Sequence, residues 1–290
     1  MASAVGTRAR MWATRAVQWD PARNQLKRGA YQAAKVRGRL LEARGRLPEI
    51  ANIYAASSPK AGSQWVKALF DHPLVRRETR LFTVPQLDFQ SHPERGFPLA
   101  SFVPGLYVSY DEYLRIPHRH PHRVVYMFRD PRDIVVSGYF SSIGNHRDTQ
   151  VPEIEEGRRI MRELPLDEGL LYAVGAATTR LREMATWSDV VRPEVLKLKL
   201  EEVGADEATA IRQILDHCEI GLAGAELDQV IRECSREQLQ AKDIAAHGDA
   251  EKGHYRVDRK TYRELFGPEH HAAVAEAVPG LVERLGYPPA

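Results

Sequence analysis

Cysteine is scarce in this sequence: Cys218 and Cys234 are the only two among 290 residues. Two cysteines cannot form a disulfide framework, and neither lies in the CxxC spacing of metal-binding and redox sites. We therefore expect both to be ordinary thiols in a reducing compartment.

Long apolar runs are also missing. No stretch approaches the roughly 20 apolar residues of a membrane-spanning helix. The N-terminal residues lack the apolar core of a secretory signal, and the chain contains no internal repeat or low-complexity tract. These absences predict a globular, cytoplasmic protein.

The net charge of +2 is small but unevenly distributed, because residues 1–50 contain 11 Lys/Arg against 3 Asp/Glu. We predict a basic helical N-terminal extension over residues 1–48 and a catalytic domain over residues 49–290. Two apolar stripes at helical spacing predict two helices separated by Pro21: Trp12, Ala16 and Trp19, then Ala33, Val36 and Leu40.

A basic arm of this kind is typical of contact with an anionic membrane surface, with nucleic acid or with an acidic face of the same protein. A solvated helical surface would show the same composition. We expect membrane or self contact rather than nucleic acid.

Strand and helix patterns alternate along the remaining chain. Residues 50–57 and 122–130 predict strands that run into helices at residues 63 and 131, and Asp130, Pro131 and Asp133 are typical of a helix start. Residues 195–200 predict a strand, and residues 165–187, 206–219 and 224–235 predict helices. Residues 73–117 predict only loops and short helices. The alternation indicates a mainly parallel sheet flanked by helices.

The turn between the first strand and its helix predicts an anion site. A helix N-terminus offers unpaired backbone N–H groups, and Lys60, Gly62 and Ser63 add a cation, close backbone approach and a hydroxyl. A Walker A motif places glycines before its lysine, whereas here the lysine precedes the only glycine, which disfavours an ATP or GTP hydrolase. A lone lysine in a turn is most often a solvated loop residue, so the turn alone does not decide.

Two segments together carry a family resemblance. The pair SSPKAGSQW (57–65) and VVYMFRDPRDIVVSGYF (124–140) resembles, in order and separation, the two nucleotide-binding motifs of the sulfotransferases that use 3′-phosphoadenosine 5′-phosphosulfate (PAPS). The resemblance extends in patches from residue 50 onwards. It implies an α/β, P-loop-like three-layer fold and transfer of a sulfuryl group from PAPS to a hydroxyl of a small-molecule acceptor, without a metal. The product is 3′-phosphoadenosine 5′-phosphate (PAP).

The resemblance also implies residue roles. Lys60 would contact the bridging oxygen, and the loop residues that follow it would bind the 5′-phosphate: Ala61, Gly62, Ser63 and Gln64. Trp65 would stack on adenine, while Arg129 and Ser137 would bind the 3′-phosphate. Without that role, Arg129 would be a surface ion pair with Asp130 or Asp133 and Ser137 a hydroxyl bonded to its own helix.

Weaker matches lie further along. VLKLKLEE resembles the third core strand with Leu200 in place of a tyrosine, and Arg236 is a candidate to stack on adenine. Residues 255–270 resemble the RKGxxGDWxxxF segment with Tyr262 in the tryptophan place. That register puts Arg256 on the 3′-phosphate, although Lys252-Gly253 preserves the literal KG pair.

The general base is not evident. Cytosolic members of the family use a histidine in a KTH segment, whereas residues 106–114 read LYVSYDEYL, with Ser109-Tyr110 in that place. Tyr110 is a poor base at its ordinary pKa of about 10, so Asp111, Glu112 and His92 are further candidates.

Two alternative functions remain open. A phosphoryl-transfer enzyme would use Lys60 as a phosphate clamp and would need a magnesium-binding aspartate, for which Asp130 is the candidate. A non-catalytic binding module would use the basic arm. His118, His120 and His122 alternate, but the flanking prolines indicate a loop, and we predict no metal site.

The aromatic residues of 97–113 favour an apolar or aromatic acceptor, as in natural-product tailoring, and a homodimer is a further option.

Overall fold

The computed structural model describes residues 21–85, 92–144, 152–247 and 260–289. The stripe of Trp12, Ala16 and Trp19 and the candidate residues Lys252, Gly253 and Arg256 lie outside these ranges. The described strands are β1 Asn52–Ser57, β2 Phe82–Thr83, β3 Ser101–Leu106, β4 His122–Phe128 and β5 Val195–Lys199.

Helices connect and flank the strands. Those before β5 are α1 Pro21–Ala43, α2 Ser63–Asp71, α3 Pro73–Thr79, α4 Tyr110–Leu114, α5 Pro131–Gly144, α6 Pro152–Glu163 and α7 Leu166–Ala185. Those after β5 are α8 Leu200–Ala205, α9 Glu207–His217, α10 Gly224–Glu233, α11 Arg236–His247, α12 Tyr262–Leu265, α13 Pro268–Ala277 and α14 Leu281–Arg284.

The strands form one parallel sheet in the order β2-β3-β1-β4-β5. Side chains alternate between the faces of a strand, and the central strands are apolar on both faces. Tyr54 and Tyr126 pack in one core cluster with α5 and α7, whereas Ile53 and Met127 pack in the other with α2 and α9. The predicted α/β fold with a parallel sheet between helical layers is confirmed.

The helices that follow the two central strands, β1 and β4, lie on opposite faces of the sheet. After β1 the chain continues into α2 on one face, and after β4 it continues into α5 on the opposite face. In open parallel sheets, ligands bind in the crevice beyond the carboxyl ends of the strands at such a switch point. The turn at Lys60 and the end of β4 at Arg129 border this crevice.

The predicted strands and helices in this part of the chain are confirmed with one exception. Residues 73–117 contain β3, a fully buried strand that pairs directly with β1. The sequence predicted only loops and short helices there. The register shifts between Tyr54 and Ala56, where Gly105 takes the left-handed conformation at φ 61°. Pro104 and Gly105 form a bulge inside the strand.

The N-terminal helix packs on the domain through one face. Tyr31 and Ala34 are buried, and Gly38 touches the backbone of Leu99, where an added Cβ would lie 2.9 Å from the carbonyl oxygen. Glycine at position 38 therefore permits the close approach of α1 to the segment before β3. The helix predicted for this part of the extension is confirmed.

Candidate active site

The turn after β1 has a tightly constrained shape. Lys60 and Gly62 both adopt left-handed backbone conformations, at φ 70° and 91°. A Cβ at Gly62 would lie 2.8 Å from Leu200 Cδ1 and 3.1 Å from Met127 Cε, so only glycine fits without strain. Gly62 is the N-cap of α2, which leaves the first N–H groups of this helix facing the crevice. The predicted strand, loop and helix are confirmed here.

Lys60 reaches across the crevice to α5. Its Nζ donates to Ser141 Oγ at 2.5 Å. Ser137 lies one helical turn earlier than Ser141, and residues four apart share a helix face. The fold therefore brings Lys60 to the face of α5 that carries Ser137, whose side chain is half-buried.

Tyr107, one of the aromatic residues of 97–113, contacts the anion-binding turn, which sequence reasoning did not predict. Its hydroxyl lies 2.9 Å from Ser63 Oγ, in the anion-binding turn. Burial raises the pKa of Tyr107, and the bond to Ser63 and the charge of Arg180 oppose this shift only in part. The phenol is thus neutral at physiological pH. Its position as the first residue after β3 would have identified it, had that strand been recognised.

Arg129 is held by two carboxylates. Nη2 lies 3.2 Å from Asp133 Oδ2, and Nε lies 3.7 Å from Glu201 Oε1. Nη1 is buried and has no hydrogen-bond partner within the described residues. A buried guanidinium nitrogen without a partner is costly, so an anionic ligand at this point would satisfy it. The ion pair considered for Arg129 is present with Asp133, but it leaves this third nitrogen available.

The two residues expected near adenine lie on neighbouring segments. Trp65 is buried, and its indole N–H donates to the carbonyl oxygen of Cys234 at 3.0 Å. Arg236 follows two residues later, and its backbone N–H donates to the Glu207 carboxylate. Gln64 is half-buried and Ala61 is fully buried in the same turn. The proposed stacking roles stay predictions.

The candidate bases of α4 are engaged with neighbouring groups. Glu112 accepts from the Ser109 N–H and hydroxyl in a capping box at the start of α4, and Asp111 is exposed. The backbone N–H of Tyr110 donates to Thr186 Oγ1, and its ring packs on Trp187.

His92 lies beside the N-terminal helix. It lines a cavity of about 270 Å³ together with Arg28, Tyr31 and Lys35 of α1, and its Nδ1 is 3.3 Å from Glu94. The segment that follows His92 leads to Pro98, whose carbonyl accepts from Asn52 at the amino end of β1. His92 therefore adjoins the opposite edge of the sheet from the Lys60 turn.

A second ion pair borders the Lys60 turn from α7. The Ser58 hydroxyl donates to the Arg180 carbonyl at 3.3 Å, and Arg180 Nη1 donates to Glu183 Oε2 at 2.9 Å. The side chains of Arg180 and Glu183 are 22% and 14% exposed. Sequence reasoning passed over this pair because Arg and Glu at i, i+3 are common on solvated helix surfaces.

The histidine cluster lies at the amino edge of β4. His118 and His122 stack with ring centroids 4.0 Å apart, and the Tyr113 hydroxyl lies 2.7 Å from His122 Nε2. Burial lowers the pKa of His118 to about 4 and also lowers that of His122. Across residues 21–85, 92–144, 152–247 and 260–289, no three His, Cys, Asp or Glu side chains are grouped to hold a metal ion.

Comparison with known proteins identifies the family. The sequence profile of the sulfotransferase domain matches residues 52–278, from the first residue of β1 to the residue that follows α13. No curated protein sequence matches the chain.

Two solved structures are similar to this chain, and the first shares its fold. A mouse sulfotransferase, SULT7A1, complexed with PAP has a TM-score of 0.51 at 16% identity, over 82% of this chain and 85% of that one. A retinol dehydratase in complex with retinol and PAP has a TM-score of 0.42 at 15% identity, over 83% and 84% of the two chains. The family match covers most of the chain and includes both motifs, so this protein belongs to the sulfotransferase family.

Proposed function

We propose that the chain transfers a sulfuryl group from PAPS to a hydroxyl of a small-molecule acceptor and releases PAP. The observation that carries the proposal is the unpartnered Nη1 of Arg129, buried beside the crevice into which the Lys60 turn also opens. A donor with phosphate groups at both ends of its nucleoside would engage the turn and Arg129 together. A 3′-phosphate supplies the acceptor oxygens that Arg129 lacks.

Lys60 is the proposed stabiliser of the leaving group. When bound, PAPS supplies a sulfuryl group on a good leaving oxygen, and sulfuryl transfer, like phosphoryl transfer, requires in-line geometry and neutralisation of departing charge. The Lys60 ammonium is held at the crevice by Ser141 and would meet the developing charge on the bridging oxygen. The N–H groups at the start of α2 and the Ser63 hydroxyl would hold the 5′-phosphate.

Glu183 is the proposed general base. In-line attack requires the acceptor to enter from the side away from the 5′-phosphate and α2. Both α5 and α7 contact the Lys60 turn, and Glu183 on α7 is a sheltered carboxylate one turn from the carbonyl that binds Ser58. The acceptor oxygen forms a bond to sulfur as the bond from sulfur to the bridging oxygen breaks. Its proton passes to Glu183, and the electron pair of the broken bond remains on PAP.

Phosphoryl transfer with a magnesium ion is the less supported function. Its candidate ligand, Asp130, is buried, and its two carboxylate oxygens accept from Arg132: Oδ1 from the backbone N–H and Nε, and Oδ2 from Nη2 at 2.7 Å. This pair ties Asp130 into the structure, so metal coordination would require breaking a buried ion pair.

The acceptor class is proposed more broadly than the sequence suggested. Two of the aromatic residues of 97–113, Phe102 and Tyr113, are fully buried in the core, and Phe102 stacks on Phe70. They cannot line a substrate pocket. Tyr107 and Tyr110 are half-buried, so their rings are available to contact an apolar or aromatic alcohol.

PAP release in the presence of PAPS and a panel of phenols and alcohols, with EDTA present, tests the proposed reaction. The acceptor product should be heavier than the acceptor by one SO₃ in mass spectrometry. Its formation should be lost in Arg129→Ala and kept in Arg123→Ala. Arg123 is the matched control because it lies at the amino end of β4, whereas Arg129 follows the carboxyl end, and it is also paired with a carboxylate, that of Glu219. Turnover of ATP in place of PAPS, or a requirement for magnesium, would favour phosphoryl transfer.

Replacing Tyr107 with phenylalanine should raise KM for PAPS about 3- to 10-fold and leave kcat little changed, because one hydrogen bond contributes about 1 kcal/mol. The loss would free the Ser63 hydroxyl that the phenol positions. Steady-state kinetics measure the effect, with the exposed Tyr172→Phe as control. A loss confined to kcat would instead place the phenol at the reacting group.

A further inference from the structure

The N-terminal helix has two opposite apolar faces. Tyr31, Ala34 and Gly38 pack on the domain. On the other side, Leu26, Val36 and Leu40 are 76%, 56% and 49% exposed, and the exposed Ala33 lies between them. The intervals of seven, three and four residues place all four on one helical stripe.

This outward stripe is more apolar than the rest of the described surface. Seven large apolar side chains in the described chain are at least 37% exposed, and three of them are in the stripe. Single exposed apolar residues are normal, but an aligned group marks an interaction surface. We call Leu26, Ala33, Val36 and Leu40 the outer stripe.

Cations border the outer stripe. Residues 21–43 contain six Lys/Arg and one acidic residue, Glu42, whose carboxylate is engaged with His120. By helical position, Arg39 follows one edge of the stripe and Arg37 follows the other, and both are exposed. Arg37 Nη2 also donates to the Arg80 carbonyl at 2.9 Å, which fixes this side chain beside the stripe. Apolar residues flanked by cations are typical of a helix that lies in a membrane interface.

We propose that α1 binds an anionic phospholipid surface through the outer stripe and its bordering arginines. The apolar stripe would enter the boundary between headgroups and acyl chains, while the cations meet the headgroup phosphates. None of the described helices is both long and apolar enough to cross a bilayer.

Charge disfavours the other occupants of this face. Residues 1–20 carry three arginines and one aspartate, so that segment has the same sign as α1, and a second copy would bring two basic faces together. Nucleic acid would engage the cations but leaves the apolar stripe unexplained.

The contact would leave the active site open. Gly38 meets Leu99 just before β3, at the amino edge of the sheet, whereas the Lys60 turn lies at the carboxyl edge. The proposal is therefore independent of the sulfotransferase chemistry.

Cosedimentation with vesicles of phosphatidylcholine, with and without phosphatidylglycerol, tests the proposal on the full chain. Wild type should bind the anionic vesicles, with affinity that falls as salt rises, and should bind neutral vesicles weakly. A triple variant, Leu26→Ser with Val36→Ser and Leu40→Ser, should bind anionic vesicles at least about tenfold more weakly. Arg39→Glu should weaken the binding to anionic vesicles as well.

A matched variant controls for lost apolar surface. Leu114→Ser with Leu166→Ser and Val191→Ser removes side chains that are 57%, 40% and 88% exposed elsewhere, and it should bind like wild type. PAP binding checks that every variant is folded. Equal vesicle binding by wild type and the outer-stripe variant overturns the proposal. So does a wild-type dimer that the variant dissociates without any vesicle binding, which would assign the stripe to self contact.

Discussion

Replacing Lys60 with alanine should lower kcat about 10²- to 10³-fold, the usual cost of losing one preorganised donor at a developing charge. Lys60 Nζ is positioned by Ser141 in a turn whose backbone is fixed by the left-handed conformations of Lys60 and Gly62. Alanine keeps the backbone but removes the cation from the bridging oxygen. The loss should therefore exceed any change in KM for PAPS.

Lys67→Ala is the matched control. Lys67 lies on α2, one turn beyond the anion-binding turn, and its ammonium pairs with Asp71 at 2.5 Å. Because this is a partly exposed i, i+4 pair, its removal should leave kcat within experimental error. Equal effects of the two substitutions, or a Lys60→Ala effect confined to KM, would remove Lys60 from the reacting centre.

Replacing Glu183 with glutamine should lower kcat about 10²- to 10⁴-fold, the contribution expected of a general base. Glutamine can still accept a hydrogen bond from Arg180 but cannot take up the acceptor proton. PAP affinity should be unchanged, because the residue is proposed to act on the acceptor side. Glu168→Gln, an exposed position on the same helix, is the control.

A series of phenol acceptors distinguishes a base from a structural residue. The ratio of wild-type to Glu183→Gln rates should fall as the phenol becomes more acidic, since an acceptor that is already ionised needs no base. A ratio that is the same for all phenols would indicate that Glu183 acts only through packing and its pair with Arg180.

The local part of the site could be predicted from sequence. The Lys60 turn and the start of α5 each lie within one continuous motif, where caps, helix period and glycine requirements are set by neighbouring residues. Asp133, the first partner of Arg129, lies one helical turn away and follows from the same motif.

The remaining part depends on long-range contacts. Tyr107 and Ser63 are 44 residues apart, and predicting their contact requires recognition of β3. Pro104 and Gly105 make this strand hard to recognise, because both residues are uncommon inside strands. Glu201, the second partner of Arg129, is itself held by the Tyr287 hydroxyl at 2.7 Å, 86 residues further on. Neither pairing has a local pattern, because sheet order decides which segments meet at the carboxyl edge.

Calorimetric titration of PAP and AMP into wild type and Arg129→Ala tests the account most directly. Wild type should bind PAP about 10²-fold more tightly than AMP, because only the 3′-phosphate satisfies the buried Nη1 of Arg129. The preference should disappear in Arg129→Ala and persist in Arg123→Ala. Equal binding of PAP and AMP by wild type would contradict a PAPS site in this crevice.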